Sequence, residues 1–264
     1  MYPSENQKTF IKKIKKQRRL VIFFQLAIVF CFIISWELLT KYEIINSFIY
    51  SSPSKIFLTL KDLFIAKDLF SHIFTTLSEV LIAFVLGIIL GFIISIIFYE
   101  IPIIAKIFDP FLTVLNSLPK VALGPIIIII AGANTKSIII MALLINLIVS
   151  ITTIYNGFLN TDSTKIKMFE TFGASKKQIL LKLIIPSSYT TIISSLKLNI
   201  ALTLIGVITG EFLVSKKGIG YLIIYGTQVF NLDLVMAGIL LLLIISYLLY
   251  KIVIYLENKL LKRK

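Results

Sequence analysis

The chain has 264 residues, 58% of them hydrophobic, and 27 Lys and Arg against 13 Asp and Glu. That apolar content excludes a soluble domain, and a lone cysteine, Cys31, excludes an intrachain disulfide. The net charge of +14 is no sign of nucleic acid, because the basic residues sit in flanks and loops between apolar runs, the topology pattern of membrane proteins.

Apolar runs of about 18 residues or more can each cross a hydrocarbon layer roughly 30 Å thick. The pattern predicts an all-α polytopic membrane protein with six transmembrane helices. Residues 1–19 form a basic cytoplasmic N-terminus, and 20–264 form the transmembrane domain. The first span, 20–39, has no small-residue cleavage site behind it and reads as an uncleaved anchor. Glu37 falls near its outer end, where its charge reaches water. Residues 40–76 mix charge with Ile56, Leu60, Leu63 and Phe64 at helical spacing, which predicts an outer amphipathic helix. His72, the one histidine, reads as an ordinary interfacial residue.

The second span, 77–99, carries Gly87 and Gly91 at a spacing that permits close helix contact. Residues 100–118 are expected as an inner loop, with Pro102 and Pro110. The third span, 118–131, opens with LPKVALGP, and prolines there break the helical ladder. Broken backbone at membrane depth is tolerated when it is buried in protein or lines a wet cavity. The fourth span is 137–155, with Asn146 and Ser150 as polar points.

The stretch 162–186, DSTKIKMFETFGASKKQILLKLIIP, is basic and mostly soluble-looking. Asp162 or Ser163 can cap a short helix, Gly173 can end it in the left-handed conformation, and Ser175 can cap a second. Pro186 marks a boundary or kink. Ile166, Phe169, Met168 and Phe172 place apolar side chains on a helix too short to span. They either pack back on the chain's own bundle or form a knob for a partner's groove. The fifth span is 192–213, with Lys197 near its inner end and Glu211 near its outer end. The sixth is 234–255, followed by a basic tail.

Six spans place both termini on one side. The N-terminus, the 162–186 stretch and the tail hold most of the basic residues between spans, so the expected orientation is N-in, C-in.

The 162–186 stretch resembles the cytoplasmic loop of ABC importer permeases, which reads E-A-A, three residues, G, nine residues, I, one residue, L-P. Gly173 and Pro186 hold that spacing, with Leu183 and Ile185 at the two aliphatic positions. Lys167, Met168 and Phe169 replace the E-A-A triplet, so the acidic and small residues are absent. SPSKIFLTL, LPKVALGPIIIIIAG, Gly-Glu-Phe at 210–212 and Gly-Ile-Gly-Tyr-Leu at 218–222 extend the likeness from about Pro53 to about Phe230. These segments resemble the nitrate, sulfonate, taurine and bicarbonate branch of the binding-protein-dependent, MetI-like superfamily. Permeases for thiamine-precursor pyrimidines and for riboflavin look similar.

The resemblance implies a multi-pass permease in the cell membrane of a prokaryote, moving a small solute such as nitrate, a sulfonate or taurine. It implies cytoplasmic ABC ATPase subunits, an external substrate-binding protein and a second, identical permease copy as partners, within the lipid bilayer. The coupling contacts it implies are Lys167, Met168, Phe169, Glu170, Phe172, Gly173, Ala174, Ser175 and Pro186. Asn116, Ser117, Asn146 and Ser150 are the candidates for the path, and Glu211 for a structural or outer-face role. No catalytic residue, metal site or cofactor is expected, and no phosphate-binding GxxxxGK[ST] loop occurs, so ATP hydrolysis belongs to another subunit. A stand-alone secondary transporter or channel would need membrane-embedded charges for ion coupling, which are few here. An integral-membrane enzyme would need a His, Asp or Glu constellation at membrane depth.

Overall fold

The computed structural model describes residues 5–261. The tail residues Lys262, Arg263 and Lys264, and the side chains of Lys8 and Lys12, lie outside the described residues. The elements in order are α1 (Glu5–Lys41), α2 (Ser47–Tyr50), α3 (Pro53–Ile65), α4 (Asp68–Glu100), α5 (Pro102–Ser117), α6 (Gly124–Ala131), α7 (Thr135–Leu159), α8 (Ser163–Thr171), α9 (Lys176–Ile179), α10 (Ile185–Val214), α11 (Ile219–Gln228) and α12 (Leu232–Leu261). A 3₁₀ turn, Lys120–Leu123, precedes α6, and a π-helical turn, Leu180–Ile184, joins α9 to α10. No strand occurs among the described residues.

Among the described residues, five helical stretches are long and apolar enough to cross a membrane: Lys13–Lys41, Asp68–Glu100, Thr135–Leu159, Lys176–Val214 and Leu232–Leu261. The pair Pro102–Ser117 and Lys120–Ala131, bent by 96°, makes a sixth if it counts as one crossing. The stretch 100–118, expected as a loop, is therefore helical. Pro102 sits in the first turn, where a missing N–H costs nothing, so it starts a helix where the sequence suggested a break. The 40–76 stretch, expected as one amphipathic helix, is divided: α2, α3 and the first turns of α4 share it.

At the centre lies α7, with α4 on one side and α10 on the other. Lipid tails are as apolar as leucine, so helices in a membrane associate through close contact and hydrogen bonds rather than by escape from water. Small residues make that contact here. A Cβ on Gly87 would collide with the Asn146 carboxamide, and one on Gly91 would stand 2.6 Å from Ser150 Cβ. Across α7, a Cβ on Gly206 would stand 2.5 Å from Ala142 Cα, and one on Gly210 would stand 3.0 Å from Ile138 Cα. Polar bonds stitch the same seam. Asn146 Nδ2 donates to Thr203 Oγ1 at 2.7 Å, and Ser150 Oγ donates to Asn146 Oδ1 at 2.9 Å. Ser95 Oγ, on α4, reaches the Ile151 carbonyl at 3.0 Å, and Ser188 Oγ, on α10, reaches the Gly157 carbonyl at 2.8 Å.

The outer helices attach more lightly. Glu37 of α1 accepts from the Ser54 N–H at 3.0 Å and from Ser54 Oγ at 2.8 Å, so its carboxylate sits at the N-terminus of α3, where the helix dipole favours an anion. Lys197 of α10 pairs with Glu257 of α12 at 2.9 Å, with Ser194 Oγ also donating to that carboxylate.

The 162–186 stretch forms a defined elbow. Asp162 caps α8 by accepting from the Thr164 N–H at 2.8 Å, and that bond holds its carboxyl below the usual carboxylate range. Gly173, at φ +76°, ends the helix. Its N–H donates to the Glu170 carbonyl and that of Ala174 to the Phe169 carbonyl, the paired bonds of a Schellman ending. Ser175 then opens α9 with a reciprocal capping box, its N–H donating to Gln178 Oε1 at 2.8 Å. Pro186 follows the π-helical turn, in which the Ile185 N–H reaches back to the Leu180 carbonyl. The wider turn is a recognised way to pass a proline without ending the helix. Ser175→Ala should cost the elbow about 1 kcal/mol, read as faster amide exchange at Gln178 with exchange in α7 unchanged.

Candidate functional site

Three regions carry the sequence-predicted functional residues: the elbow, the interior of the bundle and the exposed end of α5. In the elbow, α8 divides its apolar side chains between two faces. Ile166 and Phe169 are half-buried and pack, with Ala174, against a cluster of Ile154, Phe158, Ile179, Leu180, Leu183 and Ile184. Met168 and Phe172 point away from it and are 48% and 80% exposed. Ile166 and Phe169 thus pack back on the chain's own bundle, while Met168 and Phe172 are left exposed. Lys167, Glu170 and Ser175 are exposed along the same elbow, as is Pro186 at the start of α10.

The elbow is firmly seated. Phe158 and Ile154 come from the end of α7 and are fully buried, and Phe92 and Tyr99 of α4 pack edge-on against Phe158 at ring separations of 6.2 and 6.0 Å. One close-packed cluster thus joins α8 to side chains of α4, α7 and α10.

The four path candidates fall in two settings. Asn146 and Ser150 are fully enclosed in the α4–α7–α10 seam, bonded to each other and to Thr203. Asn116 and Ser117 are exposed at the end of α5. Beside them is a residue that sequence reasoning passed over. Lys120 sits at the 96° bend, and its Nζ donates to the Asn116 carbonyl at 3.0 Å. Its position inside LPKVALGP was the available signal. Among the described residues it forms no ion pair. A lysine at a break in a crossing needs a polar setting, and without a carboxylate its charge remains available to an anion.

Glu211 is wholly buried at the far end of α10 from the elbow. Thr76 Oγ1 donates to its Oε1 at 2.6 Å, and the Gly220 N–H donates to its Oε2 at 2.5 Å. Thr76 Oγ1 in turn accepts from the Ile219 N–H at 2.8 Å. The Gly-Glu-Phe and Gly-Ile-Gly-Tyr-Leu segments thus meet each other. A Cβ on Gly218 or Gly220 would strike the Glu211 side chain, and Gly218 also has φ +114°. His72 closes the same turn, with Nδ1 accepting from the Gly218 N–H at 3.0 Å. It is buried there, so it is a fixed partner of the turn and not merely interfacial.

The comparisons with known proteins agree with this architecture. Residues 83–264 match the family described as binding-protein-dependent transport system inner membrane component. A probable ABC transporter permease protein of Haemophilus influenzae is 28% identical over 85% of this chain and 91% of its own length. The putative aliphatic sulfonates transport permease protein SsuC of Bacillus subtilis is 27% identical over 86% of this chain and 82% of its own. The formylaminopyrimidine transport permease protein ThiX of Halalkalibacterium halodurans is 27% identical over 65% of this chain and 69% of its own. Among solved structures, a chain from the inward-facing MetNI methionine ABC transporter superposes with a TM-score of 0.63 at 16% identity, over 74% of this chain and 97% of that one, a likeness of fold. The chain belongs to the binding-protein-dependent transport system inner membrane component family: it is a permease subunit of an ABC importer, set in the inner membrane, with ATP hydrolysis left to a separate subunit.

Proposed function

We propose that this permease passes a small anion, of the sulfonate or nitrate kind, and that α8 is the contact through which an ATPase subunit drives it. The observation that carries the coupling role is the division of α8: Ile166 and Phe169 anchor it inward, while Met168 and Phe172 remain open to a partner. A groove on the ATPase would take those two side chains, with Lys167 and Glu170 at its rim. Both termini and the elbow then lie in the cytoplasm, as the distribution of basic residues favours. An external binding protein delivers the solute to the opposite face. Two copies of the chain enclose the path, consistent with the large apolar side chains exposed along α4, α5 and α12.

The path runs past the bend between α5 and α6, where Asn116, Ser117 and Lys120 offer hydrogen bonds and a positive charge. Asn146 and Ser150 support the helix seam around it. The kinship with the sulfonate permease favours an anion. The kinship with ThiX supports a second reading, a thiamine-precursor pyrimidine.

Uptake into proteoliposomes holding the permease, its cognate ATPase and internal ATP, with the binding protein outside, tests the reading. ATP-dependent uptake of a sulfonate, nitrate or taurine is expected. Lys120→Gln removes one charge-assisted contact of about 1.4 kcal/mol, so uptake should fall roughly ten-fold while ATPase co-purification is unchanged. Uptake of a formylaminopyrimidine with no response to Lys120→Gln would favour the second reading. Uptake without ATP would overturn both.

A further inference from the structure

The buried carboxyls of Glu79 and Glu211 do work that the transport reading does not use. Glu79 lies on α4 and is 2% exposed; Glu211 lies on α10 and is fully enclosed. Their carboxyl groups are neighbours at the α4–α10 seam, where Thr76, about one turn before Glu79 on α4, bonds Glu211 directly. Two carboxylates offer four acceptor oxygens and no donor. Glu211 has donors on both oxygens, Thr76 on Oε1 and the Gly220 N–H on Oε2. Glu79 Oε2, by contrast, is enclosed and meets no donor. The orphan oxygen and the acid–acid contact call for the same missing particle.

We propose that Glu79 and Glu211 bind one proton between them, carried on Glu79 and donated to the Glu211 carboxylate, and that this proton closes the 215–218 turn and the start of α11 onto α4. The assignment of donor and acceptor follows from the partners. Glu211 is already surrounded by N–H and O–H groups, which suit an anion, whereas Glu79 Oε2 has none. Among the described residues no lysine or arginine forms an ion pair with either acid, so nothing else neutralises the second charge. An unshared pair of buried carboxylates would repel at close range in a low dielectric. The other groups near the pair are named easily. His72 lies about two turns before Glu79 on α4, stacks on the Tyr221 ring at 5.9 Å and bonds Gly218. Asp68 and Lys217 act on His72.

The contact is not local. It ties residues 132 positions apart and sits beside two glycines whose missing side chains make room for the Glu211 carboxyl. Loss of the proton would leave Thr76 and the Gly220 N–H holding one carboxylate with a second pressed against it. The turn that joins α10 to α11 would then part from α4.

Infrared spectroscopy of the purified full-length chain, in detergent and in deuterated buffer, reads the proton directly. At neutral pH the wild type should show the carbonyl stretch of a protonated, buried carboxylic acid. Glu79→Gln should lose that band and keep its thermal unfolding midpoint within about 2 °C, because the amide N–H₂ replaces the donor. Glu79→Ala should lose the band and lower the midpoint by about 5 °C or more, since the Glu211 carboxylate then loses a partner. A wild-type spectrum without the band overturns the proposal, as does a band that survives in Glu79→Gln. A midpoint raised by sodium chloride but not by choline chloride would put a metal cation between the acids, and would also overturn it. None of these readouts depends on the transported solute or on the ATPase.

Discussion

Gly206→Leu is expected to destabilise the folded permease by about 3 kcal/mol or more. The position faces backbone, not the tip of a flexible side chain: a Cβ there would stand 2.5 Å from Ala142 Cα and 3.1 Å from Ala142 Cβ. Ordinary carbon contacts are about 3.5–4.0 Å, so even the first added carbon must part α7 from α10 by about 1 Å. The remaining three carbons of leucine have nowhere to go inside the seam. Separation at Gly206 also loosens what lies beside it. The Asn146–Thr203 bond at 2.7 Å spans the same two helices, and Gly210 meets Ile138 one turn further on. Leaving the Asn146 amide and Thr203 hydroxyl unpaired in a dry interior adds to the overpacking cost, for a total of about 3 kcal/mol or more. Thermal unfolding in detergent should shift down by roughly 6–12 °C, and the main size-exclusion peak should shrink or broaden. Ala201→Leu, on an exposed position of the same helix, is the control and should behave as wild type. Equal stability of the two variants would remove close approach at the α7–α10 seam from the account of this fold.

How much of this was readable from the sequence depends on whether the signal is local. The cap at Asp162, the left-handed Gly173 and the cap at Ser175 each rest on bonds between residues two to five apart, and each is legible in the sequence. Spans were legible as apolar runs, but their ends were not. The helix over α4 starts at Asp68, several residues before its apolar run becomes continuous, because Thr76 and His72 are satisfied by partners on α10 and in the turn before α11 that the local sequence cannot show. The same blindness misjudged Pro102 and Pro110. A proline was taken for a break, whereas Pro102 opens α5 and Pro110 lies inside it. The glycine pair at 87 and 91 was ambiguous alone and becomes specific only opposite Asn146 and Ser150. The inward and outward faces of α8 were also undecided, since Phe169 and Phe172 are both large, apolar and three apart. What separates them is the pocket of Ile154, Phe158 and Ile179, which exists only once α7 and α9 have converged.

That separation decides which variant tests coupling. Phe169→Asp would put a charge against the hydrophobic cluster and disturb the elbow itself, so a loss of function there would be ambiguous. Phe172→Asp avoids this. The ring is 80% exposed and touches the elbow little, so the free permease should keep its unfolding midpoint. In a docked complex, full burial of Phe172 and Met168 would contribute about 1.5–3 kcal/mol each. Replacing Phe172 by a carboxylate both removes that gain and demands desolvation of a charge, which together should weaken ATPase association by roughly a hundred-fold or more. Co-purification of the ATPase should fail, and ATP-driven uptake should be lost. Gly173→Val supplies the complementary case. No atom lies within 4 Å of a Cβ there, so valine has room, yet φ is +76°, which a β-branched residue adopts only under strain. The ATPase contacts on Met168 and Phe172 remain, but the angle between α8 and α9 is no longer held. Gly173→Val should therefore retain ATPase binding while losing substrate-stimulated hydrolysis. Should Phe172→Asp bind the ATPase as well as wild type does, the exposed face of α8 is not where the two proteins meet. Should Gly173→Val couple normally, a stiff elbow is not what carries the motion.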